Sequence, residues 1–509
     1  MNALESTPRS GAIRNVLIVG GGTAGWMTAA ILRRSTRHLG TRISLVEQPN
    51  IDTIGVGEAT IPSLVQFVRA MGFDEAAFLR AVSGTYKLGI RFTDWIEPGH
   101  EYWHPFGPCG GQINGLDLFH FWSQRRGFDG VAPTYADYSL QVALAQQERA
   151  PGPFSGASPV IETGGYGYHL DAAKFAAFLR DEATGDGVEH IFGEVQSVTR
   201  RDDRGIASVD LVGDRTIAAD LYVDCTASSV LIEKSLGDPW IDWSNLLLCD
   251  STVAMPLPRT SRFAPYTHST ALDAGWMWQI PLSSRSGHGY VYSSAHTTED
   301  QAAATLIDRA DLKRARAADP RLLKNRVGRR QDFWQHNCVS IGPAAGFVEP
   351  LEATSLHLIQ RGAEALVEFF PDQRFDPSLP RAYNATMASQ FEEVRDFIIL
   401  HYCLSRREGA FWQDARSVPL PASLQDKLAL YDEIGVIRAE GPRVFRDASY
   451  YFILSGGDRL PRRPAFRADI AHVAELDSIL AQIRHNNRVF VDQMPTHRDL
   501  LAKLHELPL

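Results

Sequence analysis

Asn15-Val16-Leu17-Ile18-Val19-Gly20-Gly21-Gly22-Thr23-Ala24-Gly25-Trp26 is the stretch whose reading decides the fold. Strand-forming residues run into a glycine-rich turn, and helix formers follow over Trp26–Arg33. Asn15–Val19 therefore reads as a buried strand, and Arg42–Val46 as a second one that ends on Glu47. The glycines at 20, 22 and 25 permit a tight turn, approach of the backbone to a pyrophosphate, and close packing of the helix. The amides around Thr23 and Ala24, at the helix start, are suited to phosphate. Glu47 lies 22 residues past Gly25, in position to accept hydrogen bonds from a ribose diol. The sequence thus predicts a βαβ unit that binds one dinucleotide, since the fingerprint occurs once. A glycine turn used for packing alone is the competing explanation, but it gives no role to the acid.

The 509 residues suffice for a large core and for two modules rather than one. A net charge of −9 argues against nucleic acid as a main partner. No apolar run is long enough to span a bilayer, so no membrane partner is expected. Val16–Val19 runs straight into glycines without a cleavage-site pattern, and does not read as a signal peptide. The five cysteines, Cys109, Cys225, Cys249, Cys338 and Cys403, stand singly with no CxxC pair. They indicate neither a disulfide framework nor a metal site. The expectation is a cytoplasmic enzyme.

Outward from the first unit, Gly55-Val56-Gly57-Glu58-Ala59-Thr60-Ile61-Pro62 follows the second strand. Its small residues suit a backbone that approaches a flat ligand, which makes Val56, Gly57, Glu58 and Ala59 cofactor candidates; an ordinary connecting loop is the alternative. Asp220-Leu221-Tyr222-Val223-Asp224-Cys225-Thr226 and Val339-Ser340-Ile341-Gly342-Pro343-Ala344-Ala345-Gly346 read as two further strands with polar or small-residue turns. Both are expected to return to the sheet beside the first strand. With Val195 and Gly342 they complete a cofactor module that is discontinuous in sequence, with a helix expected over Asp171–Ala183.

Three segments carry candidate chemistry. In Tyr86-Lys87-Leu88-Gly89-Ile90-Arg91-Phe92, Ile90 and Phe92 alternate with polar neighbours as in a half-buried strand. A lysine at a strand start is ordinarily a solvated cation. In Gly275–Pro281, Trp276 and Trp278 fall on one face of an extended strand and form a wide apolar wall, although plain sheet packing would use the same pair. Gly346–His357 follows an apolar strand, Cys338–Ile341, through a small-residue turn and enters a helix expected over Leu356–Phe370. Glu352 sits in it just before Thr354 and Ser355, whose amides at the helix start suit an anion.

These segments carry a resemblance. Trp276-Met277-Trp278-Gln279-Ile280-Pro281 is similar to the WxWxIP signature of flavin-dependent halogenases. Gly20–Gly25 with Trp26 resembles that family's GxGxxG, and Tyr86–Phe92 resembles the segment bearing its active-site lysine. Gly346–Ser355 resembles the strap that links its flavin and halogenation sites, and Arg395–Tyr402 also matches. The resemblance runs in order from residue 15 to about 412, and is closest to the branch acting on tryptophan, indole and related aryl groups.

The resemblance implies an α/β, single-component flavin monooxygenase-like fold with a GxGxxG module and a mostly helical substrate-side module. The FAD-binding module would comprise 14–100, 155–235 and 320–365, with Phe347 and Leu351 among its contacts. The substrate side would comprise 101–154, 236–319 and 366–509, helical toward the C-terminus, behind a flexible 1–13. Reduced FAD from a separate flavin reductase, with oxygen and chloride or bromide, would generate hypohalous acid. Lys87 would receive that acid through a tunnel and either hydrogen-bond it or become a haloamine, and Glu352 would position it or take the proton lost from the aromatic ring. Thr354 and Ser355 would hold the halide. Many relatives have Ser-Thr-Gly after the glutamate, where this chain has Ala353-Thr354-Ser355; backbone donors survive, and Ser355 restricts φ. His104 and Phe106 are carried to the substrate pocket. Tyr450 and Tyr451 resemble a pair that holds an amino-acid carboxylate, with core packing as the alternative. Ile453–Asp458 then offers no matching acid and aromatic, and no tryptophan follows Trp412. An indole or other electron-rich aromatic is expected, rather than free tryptophan, and homodimers are common in the family. The competing class is a flavin monooxygenase hydroxylating an aromatic, which leaves Lys87, the tryptophan pair and Glu352 unexplained.

Overall fold

The computed structural model describes residues 11–49, 57–129, 133–237, 239–259, 262–309, 320–438, 443–470 and 475–506. Asn15–Val19 lies near the middle of a six-stranded sheet, between the parallel strands Arg42–Glu47 and Leu221–Asp224. Glu189–Phe192 extends the sheet beyond Arg42–Glu47, and Cys338–Ser340 extends it beyond Leu221–Asp224. Val16 to Val19 are all buried, as expected of a parallel strand covered on both faces. Of the two segments expected beside the first strand, only Leu221–Asp224 takes that edge. Cys338–Ser340 lies one strand further out, because the edge is already occupied.

The turn explains the glycines. Gly20 has φ +117°, and a Cβ there would sit 2.9 Å from the Cys225 backbone. A Cβ on Gly25 would lie 1.8 Å from the Gly20 carbonyl oxygen, so the helix Thr23–Thr36 can cross the strand this closely only with glycine. That helix packs against the helices Ala172–Gly185 and Ser355–Glu368.

A second sheet has seven strands, in the order Arg321–Lys324, Ser251–Pro258, Arg285–Tyr292, Gly275–Pro281, Thr267–Leu272, Gly89–Thr93 and Glu101–Pro105. All neighbours are antiparallel except Gly89–Thr93, which runs parallel to Thr267–Leu272. This sheet joins Gly89–Thr93 to Glu101–Pro105, across the module boundary drawn at residue 100. A small third sheet contains Glu58–Ala59, Gly167–Leu170 and Thr85–Lys87. Tyr86–Phe92 is therefore not one strand. It divides at Leu88 into strands of two sheets, and the apolar alternation belongs to the second alone.

The strap leaves Cys338–Ser340, passes a 3-10 turn at Gly342–Ala344, pairs briefly over Gly346–Phe347, and turns again at Pro350–Glu352. Helices follow, from the 26-residue Ser378–Cys403 to His497–His505. Of the stretch expected to be flexible, 1–10 lie outside the described residues, while Ala12 bridges Asp372 and Ile13 is buried. Among the described residues no helix is long and apolar enough to cross a membrane.

Gly25→Ala is expected to destabilise the fold by about 1–3 kcal/mol through overpacking, and to weaken dinucleotide binding. Denaturant unfolding and a flavin titration check this; an unchanged unfolding midpoint contradicts the close approach.

Candidate active site

Lys87 ends the edge strand of the small sheet and is wholly buried. Its Nζ has no hydrogen-bond partner among the described residues and lies 5.1 Å from the centroid of the Phe106 ring. Burial lowers its pKa to about 7, and the charge of Glu352 opposes that shift without cancelling it. The solvated lysine expected of a strand start is thus a desolvated amine. The strand is anchored through Thr85, whose hydroxyl donates to the Pro281 carbonyl at 2.7 Å, at the end of the tryptophan strand.

Glu352 is also fully buried. His104 Nδ1 donates to its Oε2 at 2.6 Å, and His401 Nε2 lies 2.8 Å from its Oε1. Burial alone would raise the carboxyl's pKa; the two imidazoles overcome this and bring it down to about 2. Burial pushes His401 itself toward the neutral form, and its Nδ1 accepts from the Tyr102 hydroxyl at 2.9 Å. The anion is therefore held by a strand, Glu101–Pro105, and by a helix, Ser378–Cys403, remote from it in sequence.

Glu349 lies three positions earlier on the strap and is equally buried. One of its oxygens accepts from Trp276 Nε1 and from the Tyr402 hydroxyl, each at 2.7 Å. Burial dominates here and pushes the carboxyl up to about 7. Trp276 and Trp278 do share a face, since Met277 points into a separate cluster with Met255 and Tyr290. Trp278 lies flat over Gly289, where a Cβ would come within 2.3 Å of the indole.

Thr354 is buried, and Ser355 opens a helix that no side chain caps, which leaves its first amides available. The strained residue of this turn is Ala353, with φ +58°. Ser355 is helical, so the expected φ restriction at that position does not arise.

The dinucleotide cradle is open where a pyrophosphate would approach. A Cβ on Gly22 would meet no atom within 4 Å, and the helix from Thr23 has neither a side-chain cap nor an acid in its first turn. Glu47 lies against Gly21, with one oxygen 2.8 Å from His190 Nε2. Gly342 has φ +69° and approaches Ala24 so closely that a Cβ would lie 2.6 Å from it. Gly57 has φ +93°, and the following Glu58, in the strand Glu58–Ala59, is pushed up to about 7 by burial. Val56 lies outside the described residues. Leu351 is buried, and Val195 packs at the sheet with Val19 and Val46. Phe347 pairs with Gly328.

A family model described as "Tryptophan halogenase" matches residues 15–472. The chain belongs to the tryptophan halogenase family. It is 34% identical to tryptophan 6-halogenase ThaL of Streptomyces albogriseolus, over 97% of this chain and 99% of that protein. Among solved structures it is similar to BrvH, a flavin-dependent halogenase from Brevundimonas sp. BAL3, with TM-score 0.89 and 39% identity over 98% of this chain and all of that one (100%). Xcc4156, a flavin-dependent halogenase from Xanthomonas campestris, gives 0.90 and 38% over 97% and 98% of the two chains. The chain is thus a flavin-dependent halogenase, an enzyme that uses FAD and a halide, and the open, uncapped cradle fits that cofactor.

In this halogenase the fold brings Lys87, Glu352, His104 and Phe106 into one buried cluster, with Ala353 and Ile61 packed on Phe106. Tyr450 meets it indirectly, through Phe397, whose ring lies 4.9 Å from Tyr450 and 5.4 Å from His104. Its hydroxyl accepts from Lys427 at 3.2 Å. Tyr451 turns away, stacked on Phe119 at 4.0 Å with its hydroxyl 3.5 Å from His120. Sequence reading gave no role to His401, Tyr102 or Glu349. The only available signal was a second acid, Glu349, three residues before Glu352 in the strap; nothing local marks a histidine that serves a distant loop.

Lys87 binds its proton less tightly in the folded chain, at about 7, than at the ordinary lysine value of 10.5. Between those values the unfolded state holds more protons, so this group makes stability rise with pH. Lys87→Met removes the effect. Wild-type stability is expected to climb relative to the variant by up to about 1.4 kcal/mol per pH unit in that window. Denaturant unfolding across the pH range checks it, and parallel curves contradict it.

Proposed function

We propose that the chain halogenates an electron-rich, indole-type aromatic, with Lys87 as the residue that receives the oxidant and Glu352 as its partner. The observation that carries this reading is a wholly buried amine, without a hydrogen-bond partner among the described residues, beside a carboxylate kept ionised by two imidazoles. FAD reduced by a separate flavin reductase supplies, with oxygen and chloride or bromide, hypohalous acid as the halogen source. Thr354 and Ser355 hold the halide through their amides. The Trp276–Trp278 wall, fixed through Glu349, separates the substrate from the flavin side. Lys87 binds hypohalous acid by hydrogen bonding, which directs its halogen at the ring; as the ring carbon takes the halogen the oxygen–halogen bond breaks, and the hydroxide leaves as water with a proton from the ammonium. Glu352 accepts the ring proton as the aromatic system is restored, and its imidazole partners keep it ready as an anion.

His104 and Phe106 line the substrate side. The stacking of Tyr451 on Phe119 supports a substrate without an amino-acid carboxylate at that point, as does the lack of tryptophan after Trp412. The enzyme acts in the cytoplasm, and a homodimer is compatible with this scheme.

Lys87→Ala is expected to abolish halogenation while halide-dependent oxidation of reduced FAD continues. Glu352→Gln is expected to slow ring halogenation by about 10²–10⁴-fold with flavin oxidation little changed. Mass spectrometry of products from indole, free tryptophan and other aromatics, with a flavin reductase and bromide or chloride, reads both. Full turnover by either variant refutes the corresponding role, and preferential conversion of free tryptophan refutes the substrate class.

A further inference from the structure

The strand bearing Lys87 is held along its outer edge by a side chain from the last helix. Upstream of the paired strands Gly89–Thr93 and Thr267–Leu272, the two chains still run side by side, and the Leu88 amide donates to the Pro265 carbonyl at 2.7 Å. In a parallel ladder such rungs recur at every second residue. The next would join the Tyr86 amide to the Phe263 carbonyl. The imidazole of His497 stands between these two groups. Its Nε2 accepts from the Tyr86 N–H at 3.3 Å, and its Nδ1 donates to the Phe263 carbonyl at 2.7 Å.

One backbone rung has thus been replaced by a ring, and the chains are forced apart by its width. It is here that Tyr86–Phe92 divides: downstream it stays in the seven-stranded sheet, and upstream it pairs with Gly167–Leu170 instead. His497 has no exposed surface, and burial lowers its pKa to about 4, in keeping with a neutral imidazole that both donates and accepts. Its own backbone is fixed, with its amide donating to Glu148 and Thr496 capping the helix through the Asp499 amide. At the other end of the helix, His505 Nε2 donates to the Gly84 carbonyl at 2.7 Å, so both ends grip the segment that carries the lysine.

We propose that His497 is a positioning residue for Lys87: its imidazole wedges open the ladder between Tyr86 and Phe263, peels Thr85–Lys87 from the large sheet, and sets the direction of the amine toward Glu352. This rests on the reading of Lys87 given above. Without the wedge, the Tyr86 amide and Phe263 carbonyl are free to close on each other, which would draw the lysine's strand toward the large sheet.

Leucine at this position keeps bulk but neither hydrogen bond, whereas the amide of glutamine offers one acceptor and one donor. His497→Leu is expected to bind FAD as the wild type does, and to lose product formation by about ten- to a hundredfold through misplacement of the amine. Hypohalous acid should then escape to a diketone trap in solution. His497→Gln should recover most of the product and suppress the leak. A leucine variant with wild-type product formation overturns the proposal, and so does joint loss of FAD binding and product that glutamine fails to rescue. Lys87→Ala in the same assay separates the two levels: if it still forms product, the reading of the lysine fails first and the proposal falls with it. If the leucine variant does not fold, the native enzyme decides. With ¹⁵N-labelled histidine, the resonance missing from His497→Gln should report a neutral ring protonated at Nδ1. A proton on Nε2 overturns the wedge.

Discussion

A carboxylate removed from water keeps its charge only where donors replace the solvent it has lost. Glu352 has one imidazole near each oxygen, and that arrangement governs the rest of the site. A desolvated charge of this kind costs several kcal/mol unless it is matched, so His104 and His401 are conditions for the anion and more than neighbours of it. The anion in turn acts on Lys87 and draws its buried amine back toward the charged form. Burial pulls the lysine toward neutrality and Glu352 pulls it back. The balance leaves an amine that gains or loses its proton near neutral pH.

Meeting that condition takes parts from distant regions of the chain. The lysine comes from an edge strand, one imidazole from the neighbouring sheet, the other from a long helix, and the acid from the strap. Each part is tied to another by a polar contact as well as by packing. Thr85 fixes the lysine strand to the tryptophan strand, and Trp276 fixes the tryptophan strand to the strap through Glu349. His401 and Tyr402, adjacent on one helix, each hold a different acid of the strap. The site is thus a closed set of constraints, in keeping with the small positional tolerance of reactions that depend on oriented groups.

The fold's first unit was legible because its constraints are local. Gly20 and Gly25 are imposed by contacts within a few residues or on the neighbouring strand, and an apolar run with a glycine turn has few other uses. The tryptophan wall was legible for a similar reason, since a two-residue period fixes a face. The division of Tyr86–Phe92 was not, because its cause is a histidine some 410 residues away in sequence, with no local signature. The burial of Lys87 was hidden for the same reason: alternation reports which face a residue takes, and says nothing of what covers that face. Cys338–Ser340 was misplaced by one strand because sequence pattern identifies a strand without giving its rank in the sheet.

Two carboxyl groups three residues apart on one short loop differ widely in their hold on a proton, at about 2 for Glu352 and about 7 for Glu349. Side-chain chemistry does not separate them; their partners do, imidazoles in one case and an indole and a phenol in the other. The strap therefore behaves as a sorter of charge. Toward the lysine it presents a fixed negative pole. Toward the tryptophan wall it presents a group that is half neutral near physiological pH, so the wall is fastened by a bond whose strength follows the medium while the reacting end does not.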